Sequence, residues 1–188
     1  MLDAILAFDH DILSVVQEIH TPFLDTFFKL FTSLGNAGLI CIILTLIMLT
    51  MKKTRFCGVS CALSLIYDLL LCNIILKPLF ERPRPYDFFA DFSAEALIIS
   101  APSDFSFPSG HTAACFAFST ALFMHNKKLG IIAYVFSAIM GFSRLYLGVH
   151  YPTDIFGGIF VGIVCGVVAY YTNCKFIKKR FSKSENKN

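Results

Sequence analysis

Apolar residues gather along this chain in long runs broken by short polar segments. Five runs stand out, roughly Ala37 to Met51, Phe56 to Leu76, Gly110 to Met124, Leu129 to Val149 and Ile155 to Tyr171. An α-helix crosses a bilayer with about 20 residues at about 1.5 Å rise each. Two of the runs are short for a straight span and are expected to extend into their flanks. Ahead of them, Leu2, Ile5, Leu6, Ile12, Leu13, Val16 and Ile19 recur at helical spacing, interrupted by Asp3, Asp9, Asp11 and Glu18. That pattern predicts an amphipathic helix lying at the interface or against the bundle. A second short helix, about Pro22 to Leu34, precedes a Gly35-Asn36 turn. The expected fold is an all-α, multi-pass transmembrane helical bundle of five spans, or six if the Pro22–Leu34 segment also crosses. Residues 1–35 form an N-terminal amphipathic or interfacial region, 36–174 a membrane domain, and 175–188 a basic tail.

Composition turns this reading into an exclusion. Of 188 residues, 56% are apolar and only 15% charged, against about 25% charged in soluble domains. No separate soluble domain fits beside the spans. The formal net charge of +3 is too small to suggest nucleic acid as a partner. The cysteines fall mostly inside the apolar runs, are odd in number and form no CxxC pair, so they read as small buried hydrophobes. The first basic residue is Lys29, so no signal peptide is expected.

Basic residues set the orientation. Lys52, Lys53 and Arg55 follow the first run, Lys127 and Lys128 the third, and Lys175, Lys178, Lys179, Arg180, Lys183 and Lys187 the fifth. The positive-inside rule makes that face cytoplasmic, C-terminus included. The loops 77–109 and 144–153 then lie on the extracytoplasmic face of the cell membrane. Inside the bilayer, Gly158, Gly162 and Gly166 repeat every four residues, as do Ala113, Ala117 and Ala121. Small residues at this spacing let helix backbones approach closely, here most simply within one bundle.

The outer loops hold the polar residues that such a chain is least expected to carry. Lys77, Arg82 and Arg84 stand in Lys77-Pro-Leu-Phe-Glu-Arg-Pro-Arg-Pro85, His111 in Phe107-Pro-Ser-Gly-His-Thr112, and Arg144, His150 and Asp154 in the segment from Ser143 to Asp154. A single cation at a span end is ordinarily a snorkelling anchor. Four on the face that should be depleted of them, beside two histidines, point to an anion. Arginine presents a planar fork that fits phosphate, and lysine adds a point charge. Pro108, Ser109 and Gly110 open a helix whose free N–H groups favour a phosphate. Two histidines supply a nucleophile and a proton donor for phosphate-ester cleavage. Asp154, four residues after His150, can hold one imidazole nitrogen and free the other for attack.

Lys77-x6-Arg84-Pro85, Pro108-Ser-Gly-His111 and Ser143-Arg144-x5-His150-x3-Asp154 together resemble the three-part signature of the type 2 phosphatidic acid phosphatase superfamily, over about Ile12 to Tyr171. The chain is similar to small bacterial membrane members. Arg82-Pro83 is an extra Arg-Pro pair, and the six-residue spacer selects Arg84 as the counterpart. The resemblance implies His150 as a nucleophile forming a phosphohistidine, Asp154 as its orienting carboxylate, and His111 as the proton donor to the leaving group. It also implies that Lys77, Arg84, Arg144, Ser109 and the Gly110 amide hold the phosphoryl oxygens. It implies no metal and no other cofactor. The expected partners are membrane lipids and a lipid phosphate or diphosphate substrate: undecaprenyl diphosphate, phosphatidylglycerophosphate or phosphatidic acid. A sugar-phosphate phosphatase of the same superfamily, and a non-catalytic lipid-binding or transport protein, are the alternatives. Asp68, deep in a span, is expected to make a structural hydrogen bond inside the bundle, although a carboxylate at that depth is also a functional candidate. Asn73 stands one turn below Lys77, and Tyr86 and Asp87 are placed at the rim. His10, His20 and His125 are not expected to be catalytic.

Overall fold

The computed structural model describes residues 2–35 and 38–185, with side chains for 3–35 and 38–176. Asn36 of the predicted turn, and the side chains of Lys178, Lys179, Arg180, Lys183 and Lys187 in the basic tail, lie outside the described residues. Among the described residues all regular structure is helical and no strand occurs.

The apolar runs become helices. α1 (Leu2–Glu18) and α2 (Pro22–Leu34) come first, α2 capped by Thr21, whose side chain accepts from Leu24 N. α3 (Leu39–Thr50) leads to α4 (Arg55–Asp68). α4 continues as a π-helical stretch, Leu69–Leu76, into the single turn α5 (Lys77–Phe80), which ends at Glu81 with a φ of 43°. After the short α6 (Pro85–Phe88) and a loop come α7 (Gly110–His125), α8 (Lys127–Tyr146) and α9 (Pro152–Glu185). α8 stops three residues before the apolar run does. Gly148 adopts φ +67°, a left-handed conformation open to glycine, and turns the chain while Leu147 and Val149 stay buried.

Length and composition carry three helical stretches across a bilayer: Arg55–Phe88, Lys127–Tyr146 and Pro152–Phe176. α2 and α3, taken together as one bent span, make a fourth. α7, at 16 residues, is about 24 Å long, shorter than the hydrocarbon core of about 30 Å. It is the central helix, packed against α9, α8 and α4. Phe160, Ile132 and Ile74 face outward and are more than half exposed, an outer surface suited to lipid rather than water.

The two small-residue stripes meet face to face. A Cβ on Gly162 would lie 2.5 Å from the Ala113 carbonyl oxygen, and one on Gly166 would lie 2.7 Å from that of Ala117. α7 and α9 therefore touch backbone to backbone, as the intramolecular use of these stripes requires. Polar side chains add cross-links: Ser119 to Ser137 at 2.8 Å, Thr120 to Tyr134 at 2.7 Å, and His125 and Asn173 to Ser60 at 2.9 Å each. Of the cysteines, Cys41, Cys61, Cys72, Cys115 and Cys165 are buried, and all those described are free thiols. α1 packs against α8 and α9 with Leu13 and Val16 inward, while Phe8, Val15 and Ile19 remain exposed.

Candidate active site

Four helix ends meet on one side of the bundle: α5, the start of α7, the end of α8 and the start of α9. Backbone bonds tie the three motif segments together. Ser106 N donates to the Arg82 carbonyl at 2.9 Å, and Ser109 N to the Asp154 carbonyl at 3.1 Å. The predicted residues converge here, and Lys77, Arg84, Ser109, Arg144, His150 and Asp154 are all buried.

His150 lies at the centre. Arg84 Nη1 donates to its Nε2 at 3.3 Å and to the Val149 carbonyl at 2.6 Å. A guanidinium has only donors, so Nε2 must be the bare, accepting nitrogen and Nδ1 carries the proton. Nδ1 then donates to Asp154 Oδ2 at 3.2 Å. Asp154 is fully buried, and its Oδ2 also accepts from Tyr151 N at 3.0 Å and from the Ser106 hydroxyl. Burial, and then the positive charges of Arg84, Arg144 and Lys77, hold the His150 imidazole well below its ordinary range. The ring is therefore neutral, with an available lone pair on Nε2.

The cations on the other side share one carboxylate. Lys77 Nζ donates to Asp104 Oδ2, and Arg84 reaches Asp104 Oδ1 with Nη2 at 2.6 Å and the Asp104 carbonyl with Nε at 2.8 Å. Burial pushes the Asp104 carboxyl up, but Lys77 and Arg84 outweigh it and bring the group down to about 2. Arg144 gives Nη1 to Thr32 Oγ1 at 2.6 Å, and its Nε finds no protein partner among the described residues. Ser109 does not cap α7 with its side chain. Its hydroxyl pairs with Thr112 Oγ1 at 3.0 Å instead. At Gly110 a Cβ would lie 3.2 Å from Asn73 Oδ1 and 3.8 Å from Lys77 Nζ. A glycine here keeps the α7 terminus open beside Lys77.

A cavity of about 560 Å³ opens from this point. Lys77, Asp104, Gly110 and His111 line one part of it, and Ile42, Leu46, Leu49, Leu65, Ile66 and Leu69 form apolar walls. Asn73 lines it as well. Asp68 is also buried in the wall of the cavity, and its Oδ1 has no partner among the described residues. The nine-residue step from Asp68 to Lys77 also runs through π-helical turns, so straight α-helix arithmetic misplaces it. Tyr86 donates to the Pro102 carbonyl at 2.7 Å and so pins the outer loop. The remaining histidines have structural partners: His10 with Asp91 at 2.8 Å, His20 stacked on Tyr146, and His125 with Ser60. Among the described residues no three His, Cys, Asp or Glu side chains gather as metal ligands would.

Reading the sequence missed Asp104, Ser106 and Asp9. The first two lie in an aperiodic loop and carried no signal. Asp9 had one: it stands one turn before Leu13 on the buried stripe of α1, where a carboxylate needs a partner.

Residues 57–178 match the family model described as the PAP2 superfamily. The chain is 36% identical over 101 residues to undecaprenyl-diphosphatase BcrC of Bacillus subtilis, covering 54% of this chain and half the length of that relative. It is 34% identical over 176 residues to phosphatidylglycerophosphatase B of the same organism, covering 86% of this chain and 81% of that one. Among solved structures, Aquifex aeolicus LpxE superposes with a TM-score of 0.74 at 30% identity, covering 86% of this chain and 93% of that one. A PAP2-type phosphatidylglycerolphosphate phosphatase from Bacillus subtilis gives 0.72 at 30% identity, covering 94% and 87%.

Proposed function

The chain belongs to the PAP2 superfamily, and from that premise we propose that it is an integral membrane lipid phosphatase. The observation that carries this reading is the continuity of one cavity, with Lys77, Asp104 and His111 on one part of its wall and mostly apolar side chains, interrupted by Thr45, Asp68 and Asn73, on the rest. An amphiphile fits it, headgroup at Lys77 and the start of α7 and chain along the apolar walls. A water-soluble sugar phosphate would leave those walls unfilled.

His150 Nε2 attacks the phosphorus and the bond to the leaving oxygen breaks. His111 gives that oxygen a proton, so a lipid alcohol or lipid phosphate departs and a phosphohistidine remains. Water then attacks the phosphorus as His111 takes a proton back, the P–N bond breaks, and inorganic phosphate is released. Asp154 holds the Nδ1 proton and stabilises the charge that develops on the ring. Lys77, Arg84, Arg144, Ser109 and the Gly110 N–H hold the phosphoryl oxygens, whose charge peaks in the transition state. Undecaprenyl diphosphate, phosphatidylglycerophosphate and phosphatidic acid all present a terminal phosphoryl group. We place undecaprenyl diphosphate first, supported by the similarity to BcrC.

In the bilayer, α3 with the bent α2, α4 with its continuation, α7, α8 and α9 form five spans. Residues 36–174 are the phosphatase domain, α1 packs against it at the interface while α2 leads into the first span, and 175–188 are the basic cytoplasmic tail. Lys52, Lys53, Arg55, Lys127 and Lys128 lie at the helix ends away from the site, and Lys175 lies at the end of the Pro152–Phe176 stretch of α9. The site is then extracytoplasmic.

The test is phosphate release by the purified protein in detergent with EDTA present, from each of the three lipids, with a sugar phosphate as competitor. Release from at least one lipid is expected, and its loss by more than about 10³-fold in His150→Ala. No release from any of them would sink the reading. Full activity in His150→Ala would reassign the nucleophile.

A further inference from the structure

Arg82 stands outside the three motif patterns, because the spacer selects Arg84. It nevertheless joins two buried carboxylates. Its Nη1 donates to Asp154 Oδ1 at 2.6 Å and to Thr153 Oγ1 at 2.7 Å, and its Nη2 donates to Asp9 Oδ2 at 2.6 Å. Its guanidinium carbon lies 3.8 Å from the centre of the Tyr151 ring. Asp9, on α1, is fully buried, and it accepts from Thr153 N at 3.0 Å and Thr153 Oγ1 at 2.6 Å.

The two oxygens of Asp154 thus have separate duties. Oδ2 faces the His150 ring, the Ser106 hydroxyl and the Tyr151 amide, while Oδ1 accepts from Arg82. A carboxylate with one oxygen anchored can still turn about its terminal torsion, which is broad and roughly two-fold. The Arg82 contact closes that freedom and supplies the counter-charge a buried carboxylate requires. A guanidinium on a three-carbon stem also needs fixing. Asp9 holds its other nitrogen, and Tyr151 covers its face.

We propose that Arg82 and Asp9 are positioning residues for the reaction: Asp9 sets Arg82, Arg82 sets the Asp154 carboxylate, and Asp154 sets the His150 ring for attack. The N-terminal helix is thereby part of the active-site machinery and not only a packing element. The inference rests on the assignment of His150 as nucleophile.

Partners that orient a functional histidine at metal sites are worth about 10- to 100-fold when removed, and the same range is expected here. The experiment compares wild type, Arg82→Met, Arg82→Lys, Asp9→Asn and the Asp9→Asn/Arg82→Met double variant. The readouts are kcat and KM for phosphate release in detergent, and the thermal unfolding midpoint of each protein. Arg82→Met is expected to lower kcat about 10- to 100-fold with KM within about twofold of wild type. Arg82→Lys should recover part of the loss, and Asp9→Asn should cost less than Arg82→Met. The double variant should be no slower than Arg82→Met alone, because Asp9 acts through Arg82. Unchanged kcat in Arg82→Met, additive losses in the double variant, or losses of kcat that only track the unfolding midpoint would overturn the proposal. Should Arg82→Met not fold, Asp9→Asn and Arg82→Lys carry the same split between kcat and KM. If wild type is active and His150→Ala is dead while Arg82→Met keeps its kcat, the inference fails and the functional reading stands. If wild type releases no phosphate, both fall together.

Discussion

The two sides of the site use carboxylates in opposite ways. Beside His150, Asp154 and Asp9 are fully buried and bound by Arg82, by backbone amides of α9 and its approach, and by hydroxyls. Beside Lys77 and Arg84, the Asp104 side chain is 52% exposed and belongs to the loop between α6 and α7. Removing one partner from a buried charge pair leaves an uncompensated charge, which is strongly destabilising. A half-exposed carboxylate can turn to water at little cost. The comparison teaches that the carboxylates beside the proposed nucleophile are held in place by burial, while the one on the cations proposed to bind phosphate is free to give way to an incoming phosphoryl group.

The largest test of this contrast is Asp154→Asn. An amide there no longer stabilises a charged ring, and kcat should fall by about 10³- to 10⁴-fold, measured by phosphate release under saturating substrate. A loss no larger than that of Asp104→Asn would erase the distinction. A smaller effect is expected at the seam from which both sides hang. In Gly162→Val the added carbons meet the Ala113 carbonyl, and overpacking of this kind costs about 1–3 kcal/mol. The unfolding midpoint in detergent should drop, with the remaining folded protein active.

The smallest effect is at Asp104. Asp104→Asn removes the resident anion, and with the carboxylate half-exposed its pairing with the buried Lys77 and Arg84 is expected to be worth no more than about 1 kcal/mol. Inorganic phosphate should then inhibit at a concentration up to about fivefold lower than in wild type. The sign with pH follows from a carboxyl held at about 2 in the folded chain, below its usual 3.8. Its contribution to stability is complete above about pH 4 and disappears as pH falls toward 2. The ratio of phosphate inhibition constants between variant and wild type should therefore stay flat from about pH 5 to 8. A ratio that changes across this range would show that some group other than Asp104 sets it.

Much of this arrangement was legible from residue pattern alone. The apolar runs mark α3, α4, α7, α8 and α9, and the alanine and glycine stripes anticipate the α7–α9 seam, because four-residue spacing is a local property of a helix. The motif residues were readable as a set, since most of them sit at or near the ends of the runs. What escaped has no local period. The π-helical stretch Leu69–Leu76 is as apolar as an α-helix would be, so nothing in its composition marks the wider turn. Asp104 and Ser106 lie in a loop, and Arg144 finds Thr32 across 112 positions. An apolar run likewise reports burial and not helix, which is why Leu147 and Val149 looked like a continuation of α8.

The Asp9–Thr153 contact has a consequence for how the chain is made. The two residues are 144 positions apart, so α1 leaves the ribosome long before its partner exists. Asp9 and Arg82 can meet early, but the carboxylate they serve arrives only with the last span. Contacts of such long range form late because the loop between them must first be closed. A chain arrested during synthesis before α9 would hold its cations and His111 yet lack a supported nucleophile. On the proposed mechanism, maturation of the site and completion of the bundle are thus one event, and a chain that lacks α9 is expected to be far slower toward the lipids around it than the finished one.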